Sequence, residues 1–213
     1  MRVVTGEPPE PSEVPWAAVQ TEAYAEAAGE YLLPGHDEPD SETLDELVET
    51  VRERTPLATV RHLCDLIADR FEYRAGVTYV GSTIEEFLQA GAGVCQDYVH
   101  LGLLLLRRNA IAARYVSGYL WAATADGDDS VEVKTHAWIE ALLPCDGGRG
   151  EPAWVGADPT NRQLAGERHV KIGHGRAYPD VPPIRGVYQG SATSTLEASV
   201  HMTRLDPQAS ARA

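Results

Sequence analysis

Three residues of this chain have the types and settings needed for a nucleophile, a base and the carboxylate that steadies the base. Cys95 follows Gly93-Val94 and comes just before 101–106, a run that is apolar nearly throughout. Gly91 and Gly93 interrupt what precedes, so Cys95 stands where a new helix starts. A thiol at that position faces unpaired backbone N–H groups and the positive end of the helix dipole, which favour thiolate over thiol. The N–H of Cys95 can also point at an oxyanion. His136 lies in Lys134-Thr135-His136-Ala137-Trp138-Ile139-Glu140, a strand pattern with distinguishable faces. Sharing a face with Trp138, its imidazole is expected to project towards the packed side, where the buried helix lies. There it can take the thiol proton and return it to a leaving amine. Asp158 closes Trp154-Val155-Gly156-Ala157-Asp158. A carboxylate at the end of a neighbouring strand can accept the imidazole N–H, fix its tautomer and stabilise the imidazolium. Each residue alone has a plainer reading: a small buried hydrophobe, a satisfied core histidine, a turn aspartate before Pro159. A helix-start Cys, a strand His and a strand-end Asp in that order point instead to covalent acyl transfer.

The elements that must position them can be read from hydrophobic period. An Ala- and Glu-rich segment at 16–31 contains a short helix, ended by Pro34, Gly35 and Pro39. Ser41 caps a second, with Leu44, Leu47, Val48 and Val51 at helical spacing, stopped by Thr55 and Pro56. Pro56 opens a third, whose buried stripe is Leu57, Val60, Leu63, Cys64 and Ile67. The segment 71–80 reads as extended loop or short strand. Ser82 and Glu85 form a capping box for a short helix bearing Phe87 and Leu88. The helix from Cys95 to Arg108 is central and buried. The period then changes to two, and 113–121, 132–143 and 153–158 read as strands joined by turns at 126–129 and 145–150. After a Pro- and Gly-rich loop at 173–190, 195–203 alternates with Leu196, Ala198, Val200 and Met202 on one face. Helices first and antiparallel strands afterwards indicate an α+β fold.

Composition narrows the function classes. The 213 residues, 43% of them hydrophobic, suffice for a full core, and the net charge is −14, from 32 acidic and 18 basic residues. That balance repels phosphates and argues against nucleic-acid binding. No signal peptide is recognisable, and the longest apolar run is too short to span a bilayer, so no membrane partner is expected and a cytoplasmic location is. The three cysteines, at 64, 95 and 145, form no CxxC pair, so reduced thiols are expected rather than disulfides or a zinc site. The acids at 126–129 lack the ligand alternation of a calcium loop. The proposed chemistry requires no cofactor and no metal.

Four motifs together resemble the microbial transglutaminase-like family: Gly93-Val94-Cys95-Gln96-Asp97-Tyr98-Val99-His100-Leu101, Ala113-Arg114-Tyr115-Val116-Ser117-Gly118-Tyr119-Leu120, His136-Ala137-Trp138 and Asp158-Pro159-Thr160-Asn161. A fifth, Gly175-Arg176-Ala177-Tyr178-Pro179-Asp180-Val181, extends the resemblance to roughly 16–202. It implies a papain-like α+β core, N-terminal helices packed on an antiparallel sheet, with the nucleophile at a helix start. It places the family's Cys, His and Asp on Cys95, His136 and Asp158. Two departures stand out: Ala110-Ile111-Ala112 where members often have Gly-Ile-Pro, and Ala177 where an acid often follows Gly-Arg. Many members carry an N-terminal β-rich domain; only a short lead-in precedes the helices in this sequence, so a catalytic module alone is the expectation. The organisation expected is a flexible lead-in or linker at 1–15, a catalytic domain at 16–203 and a disordered tail at 204–213.

Other residues have milder expectations. Asp97 and Gln96 occupy the first helical turn. His100 lies about 140° around the helix from Cys95, which suits a structural role better than that of a base. Gln89 is a candidate second oxyanion donor, Cys64 a core residue and Cys145 an exposed thiol in a glycine-rich turn. Arg114 and Tyr115 either line the cleft or pack. The expected substrate is a protein, peptide or small amide, attacked through a Cys95 thioester that an amine resolves in a transglutaminase and water in a protease or amidase. A noncatalytic binding module of the same fold and an arylamine-type acyltransferase using acetyl-CoA are the alternatives.

Overall fold

The structure, a computed structural model, describes residues 2–35, 38–39, 41–121, 130–183, 189 and 199–205. The turn at 126–129, the first part of the final alternating segment (195–198) and the tail from 206 onward lie outside the described residues. Among the described residues, five α-helices precede or interleave with nine strands: α1 (Glu22–Ala28), α2 (Glu42–Val51), α3 (Pro56–Arg70), β1 (Glu72–Tyr73), α4 (Ile84–Ala90), β2 (Ala92–Gly93), α5 (Cys95–Arg108), β3 (Ala113–Leu120), β4 (Ser130–Val133), β5 (Thr135–Leu143), β6 (Ala153–Asp158), β7 (Gln163–Leu164), β8 (His169–Gly175) and β9 (Val200–Thr203). The main sheet runs β7-β6-β5-β3-β8, antiparallel throughout. Among the described residues, no helix is long and apolar enough to cross a membrane.

Helix α5 is the centre of the molecule. Leu101, Leu105 and Leu106 are fully buried, and Ala137, Ile139, Ala141 and Leu143 of β5 join them in one core with the stripes of α2 and α3. Each such side chain contributes about 1.5–3 kcal/mol by leaving water. Gly102 sits where any Cβ would strike the Ile139 side chain, so its absence of a side chain lets α5 lie close on β5. At its C-terminus Ala110 takes a left-handed conformation, φ 59°, and its N–H closes on the Arg107 carbonyl. A residue with a Cβ is disfavoured there. The Ala112 N–H, which a proline would lack, donates to the Tyr24 hydroxyl, and that hydroxyl donates to the Leu142 carbonyl. This chain thus uses Ala112 to fasten α1 onto the sheet.

Several expectations are corrected. The capping box of α4 is Thr83 with Glu86, one residue later than Ser82 and Glu85. Both pairs fit the pattern, but the Ser82 hydroxyl is engaged by the Tyr79 N–H of the preceding turn. The stretch expected as one strand over 132–143 is two, divided at Lys134, with β4 pairing β9 and β5 pairing β3 and β6. Strand β8 begins at His169, where the period gave no strand, and its last residues, 173–175, run into the loop expected at 173–190; pairing to β3 supplies what local propensity lacks. Cys145 is buried rather than exposed: it bridges Pro11, and its thiol points at the Leu143 carbonyl. In the lead-in, Ser12 donates to the Pro144 carbonyl, its hydroxyl accepts from Gly147, and Glu13 pairs with Arg61.

Candidate active site

Local sequence fixes Cys95 from both sides. Thr55, Thr83 and other caps start their helices with a hydroxyl, but α5 has Val94 at that position and uses an acid three residues on instead. The Asp97 carboxylate accepts the Val94 N–H at 2.8 Å and the Thr78 hydroxyl at 2.6 Å. This leaves the first turn of α5 closed by a buried acid. Gly93 is needed because a Cβ there would run into that carboxylate and the Phe87 ring. Gly93 is also laddered to β1: Tyr73 pairs it in parallel register, and Arg74 N–H donates to its carbonyl at 2.8 Å. The same pairing brings the Tyr73 hydroxyl into hydrogen-bonding contact with the Cys95 backbone and thiol.

His136 does not reach Cys95 by the route the alternation suggested. Ala137 and Ile139 face the α5 core, whereas His136 stacks on Trp138 with ring centroids 6.1 Å apart, on the opposite face. It meets Cys95 at the end of the sheet, where β5 begins and the N-terminus of α5 arrives. The ring's Nε2 lies 2.8 Å from Asp158 Oδ2, and a hydrogen bond with the Cys95 thiol falls to the remaining nitrogen, Nδ1. Burial by itself would push the imidazole down, but the hydrogen bonds and charges of Asp158 and Cys95 outweigh it and hold the ring up to about 9. His136 is therefore predominantly cationic near neutral pH.

Asp158 is fully buried, yet its two oxygens take five hydrogen bonds. Oδ1 accepts the Thr160 and Asn161 N–H groups at 3.0 and 3.2 Å, the turn that Asp-Pro-Thr-Asn builds. Oδ2 accepts from Asn161 Nδ2 at 2.7 Å, from His136 Nε2 at 2.8 Å and from His169 Nε2 at 3.0 Å. Burial opposes the charge, but the bonds from His136, His169 and Asn161 more than offset it and hold the carboxyl well below the usual range.

His136, Asp158 and His169 offer ligand atoms within 4.8 Å of one another, a spacing a metal ion could use. The donor set fits a proton network better. The Gly166 N–H points at His169 Nδ1 at 3.2 Å. A metal on Nε2 would force the ring proton onto Nδ1, against that N–H.

Sequence reading thus brings Cys95, His136 and Asp158 to one place but misses three neighbours. Asn161 was visible in the Asp-Pro-Thr-Asn motif as a turn residue. Tyr73 is delivered by a two-residue strand too short for any periodic signal. His169 comes from a segment that leaves β7 at one edge of the sheet and crosses the face of Trp138 to β8 at the other. Gln89 is exposed and bonded to Glu85 on its own helix, so it supplies no oxyanion donor. His100 accepts the Tyr178 N–H, and burial pushes its ring below the ordinary value. Arg114 packs: it pairs with Glu140 at 2.7 Å and lies 4.0 Å over the Trp154 ring. Tyr115 is buried, with Cys95 among the charges that act on it. Cys64 is core, its thiol pushed up to about 12 by burial and then by the charges of Asp158 and Asp65.

Residues 44–159 match the model of the transglutaminase-like superfamily. An uncharacterized protein of Mycobacterium tuberculosis strain H37Rv is 39% identical over 93% of this chain, and one of Mycobacterium leprae is 34% identical over 92%. The chain spans 65% of the length of the former and 68% of the latter. A Cytophaga hutchinsonii protein whose crystal structure is described as that of "a Putative Cysteine Protease" superposes with a TM-score of 0.61 at 26% identity, over 83% of this chain and 56% of its own.

Proposed function

The chain belongs to the transglutaminase-like superfamily, and from that premise we propose that it is a thiol-dependent acyl-transfer enzyme acting on carboxamide or peptide bonds. Cys95 is the nucleophile, His136 its acid-base partner and Asp158 the carboxylate that orients His136. The observation that carries the reading is the unbroken chain from thiol to imidazole to a buried, five-bonded carboxylate. A cationic imidazole beside a thiol favours the thiolate. The sulfur attacks the carbonyl carbon, and the electron pair of the C=O bond moves to oxygen. The Cys95 N–H and the Tyr73 hydroxyl, which contact each other, are the candidate donors to that oxygen. When the tetrahedral species collapses, the C–N bond breaks and His136 gives its proton to the departing amine or ammonia. The thioester then passes its acyl group to water or to an amine, with His136 removing the proton of the attacking group.

The protein, peptide or small amide that supplies the acyl group meets a rim on which Tyr79 and Val80 are largely exposed, beside the Thr78 contact to Asp97. The description of the Cytophaga protein favours the hydrolytic branch, in which water resolves the thioester. Incubating the protein with a panel of glutamine-containing and peptide substrates, quenching in acid and measuring intact mass tests the reading. An acyl adduct mapped to Cys95, absent in Cys95→Ala, is the expected result. Adducts that map elsewhere, or substrate turnover that persists in Cys95→Ala, would overturn it.

A further inference from the structure

Asp158 holds a second imidazole that the mechanism above leaves unused. His169 meets the same Oδ2 as His136, and only 3% of its side chain is exposed. Its Nδ1 accepts the Gly166 N–H. A ring nitrogen that accepts an N–H carries no proton of its own, so the single proton of His169 is on Nε2 and is donated to Asp158. Trp138 meets this ring edge-on at 5.2 Å and closes it off from water. The two imidazoles on one oxygen are therefore in different states. His136 gains and loses a proton at Nδ1, facing the thiol. His169 is held by the Gly166 bond in the tautomer whose proton sits on Nε2, facing Asp158.

Resting on the acyl-transfer reading, we propose that His169 is a positioning residue: a donor fixed in its Nε2–H tautomer that holds Asp158 Oδ2 in place and limits how tightly the carboxylate retains the proton of His136. The physical reason is a competition. A buried carboxylate with His136 as its main partner would concentrate its charge on that ring and make the imidazolium too weak an acid to release its proton to a leaving amine. A second and third donor, His169 and Asn161, draw off part of that charge. The other groups around the pair do not titrate in the same window. Cys64 of α3 is pushed up to about 12 by burial, and Tyr73 of β1 and Tyr115 of β3 are raised above 10.0 by burial and the charge of Cys95. Cys95 from α5 and Asp158 from β6 remain as the charges His136 senses directly.

The test uses the full chain with ring nitrogens of histidine labelled with nitrogen-15, followed by NMR across pH 5 to 10. At pH 7 His169 should show a protonated Nε2 and a bare Nδ1. His169→Ala should move the His136 midpoint upward by about half a pH unit. His169→Gln, whose amide can donate from nearly the same point, should bring it back. A His169 whose single proton is on Nδ1 at pH 7 overturns the proposal, and so does a folded His169→Ala whose His136 midpoint is unmoved. If His169→Ala does not fold, the tautomer in the unmutated chain and the His169→Gln midpoint decide. Alkylation of Cys95 in the same samples keeps the two readings apart. A Cys95 that reacts no faster than Cys145 sinks the acyl-transfer reading, whereas a fast Cys95 with an unmoved midpoint sinks only the role of His169.

Discussion

The two faces of the central sheet do different work, and the contrast explains the molecule. The face towards α5 is apolar and monotonous: Ala137, Ile139, Ala141, Leu143, Val155 and Ala157 against a leucine-rich helix. The other face carries His136, Trp138, Glu140, Leu142, Trp154 and Asp158; α1 packs on Leu142 at one end, and around Trp138 and Trp154 the face meets the 165–168 crossover and the lead-in around Val3 to Pro9. The first face holds the fold; the second holds the chemistry, and the two meet only at the sheet end where Cys95 arrives. Hydrophobic burial is insensitive to direction, so the first face tolerates imprecision. Hydrogen bonds between buried charges are not, so on the second each donor must have its acceptor.

If this division is right, mutations on the two faces should fail in different ways. The largest effect is expected for Asp158→Ala. Turnover should fall about 10⁴-fold, because His136 loses its orienting acceptor and its cationic form. Measured kcat, with circular dichroism to confirm the fold, checks it; a loss below tenfold would break the comparison. Leu105→Ala, on the helix side, should remove about 2–5 kcal/mol of stability and leave kcat per folded molecule nearly unchanged. Urea unfolding monitored by tryptophan fluorescence, paired with an active-site titration, reads both.

A pH profile sharpens the same contrast. His136 is raised from 6.5 to about 9 in the folded state, so the imidazolium needed by the leaving group is present through neutral pH and lost near 9. The rate should fall along an alkaline limb near that value. The sign for stability follows. The contribution of the His136–Asp158 pair is fully present below pH 6.5, the unfolded value, and disappears as pH rises through about 9. Asp158, held low, contributes stability above the ordinary carboxylate value of 3.8 that is lost as pH falls below it towards the folded value. Thermal melts between pH 3 and 10 should show both shoulders, and Asp158→Ala should remove them. The smallest effect is Ala110→Gly, which relieves a left-handed alanine and should stabilise by about 1 kcal/mol with activity unaltered.

These expectations also show what was legible before any coordinates. Helix α3, helix α5 and strand β6 follow from period, caps and glycines, because each buries a regular stripe. Cys95, His136 and Asp158 were legible as types in sequence, and their motif contexts placed them in one family. The face of His136 was not, since alternation assigns a residue to a face but not to the end of a strand, where a side chain can reach past the sheet edge. His169 escaped because its strand is flanked by Gly166 and Gly173, and its partner lies across a crossover that no local pattern encodes. The register of the α4 cap escaped because Ser82-Glu85 and Thr83-Glu86 satisfy the same rule, and a hydrogen bond from Tyr79 decides between them. In each case a contact distant from the local pattern decided the outcome.

The most direct measurement is competitive alkylation of the three cysteines with limiting iodoacetamide at pH 7, mapped by mass spectrometry in the unmutated chain and in His136→Ala. Burial raises the thiols of Cys64 and Cys145, so both should react sluggishly. Cys95, half-buried beside a cationic imidazole, should react at least tenfold faster, and His136→Ala should abolish that advantage. Cys95 labelled no faster than Cys145, or labelled equally fast without His136, would contradict the account.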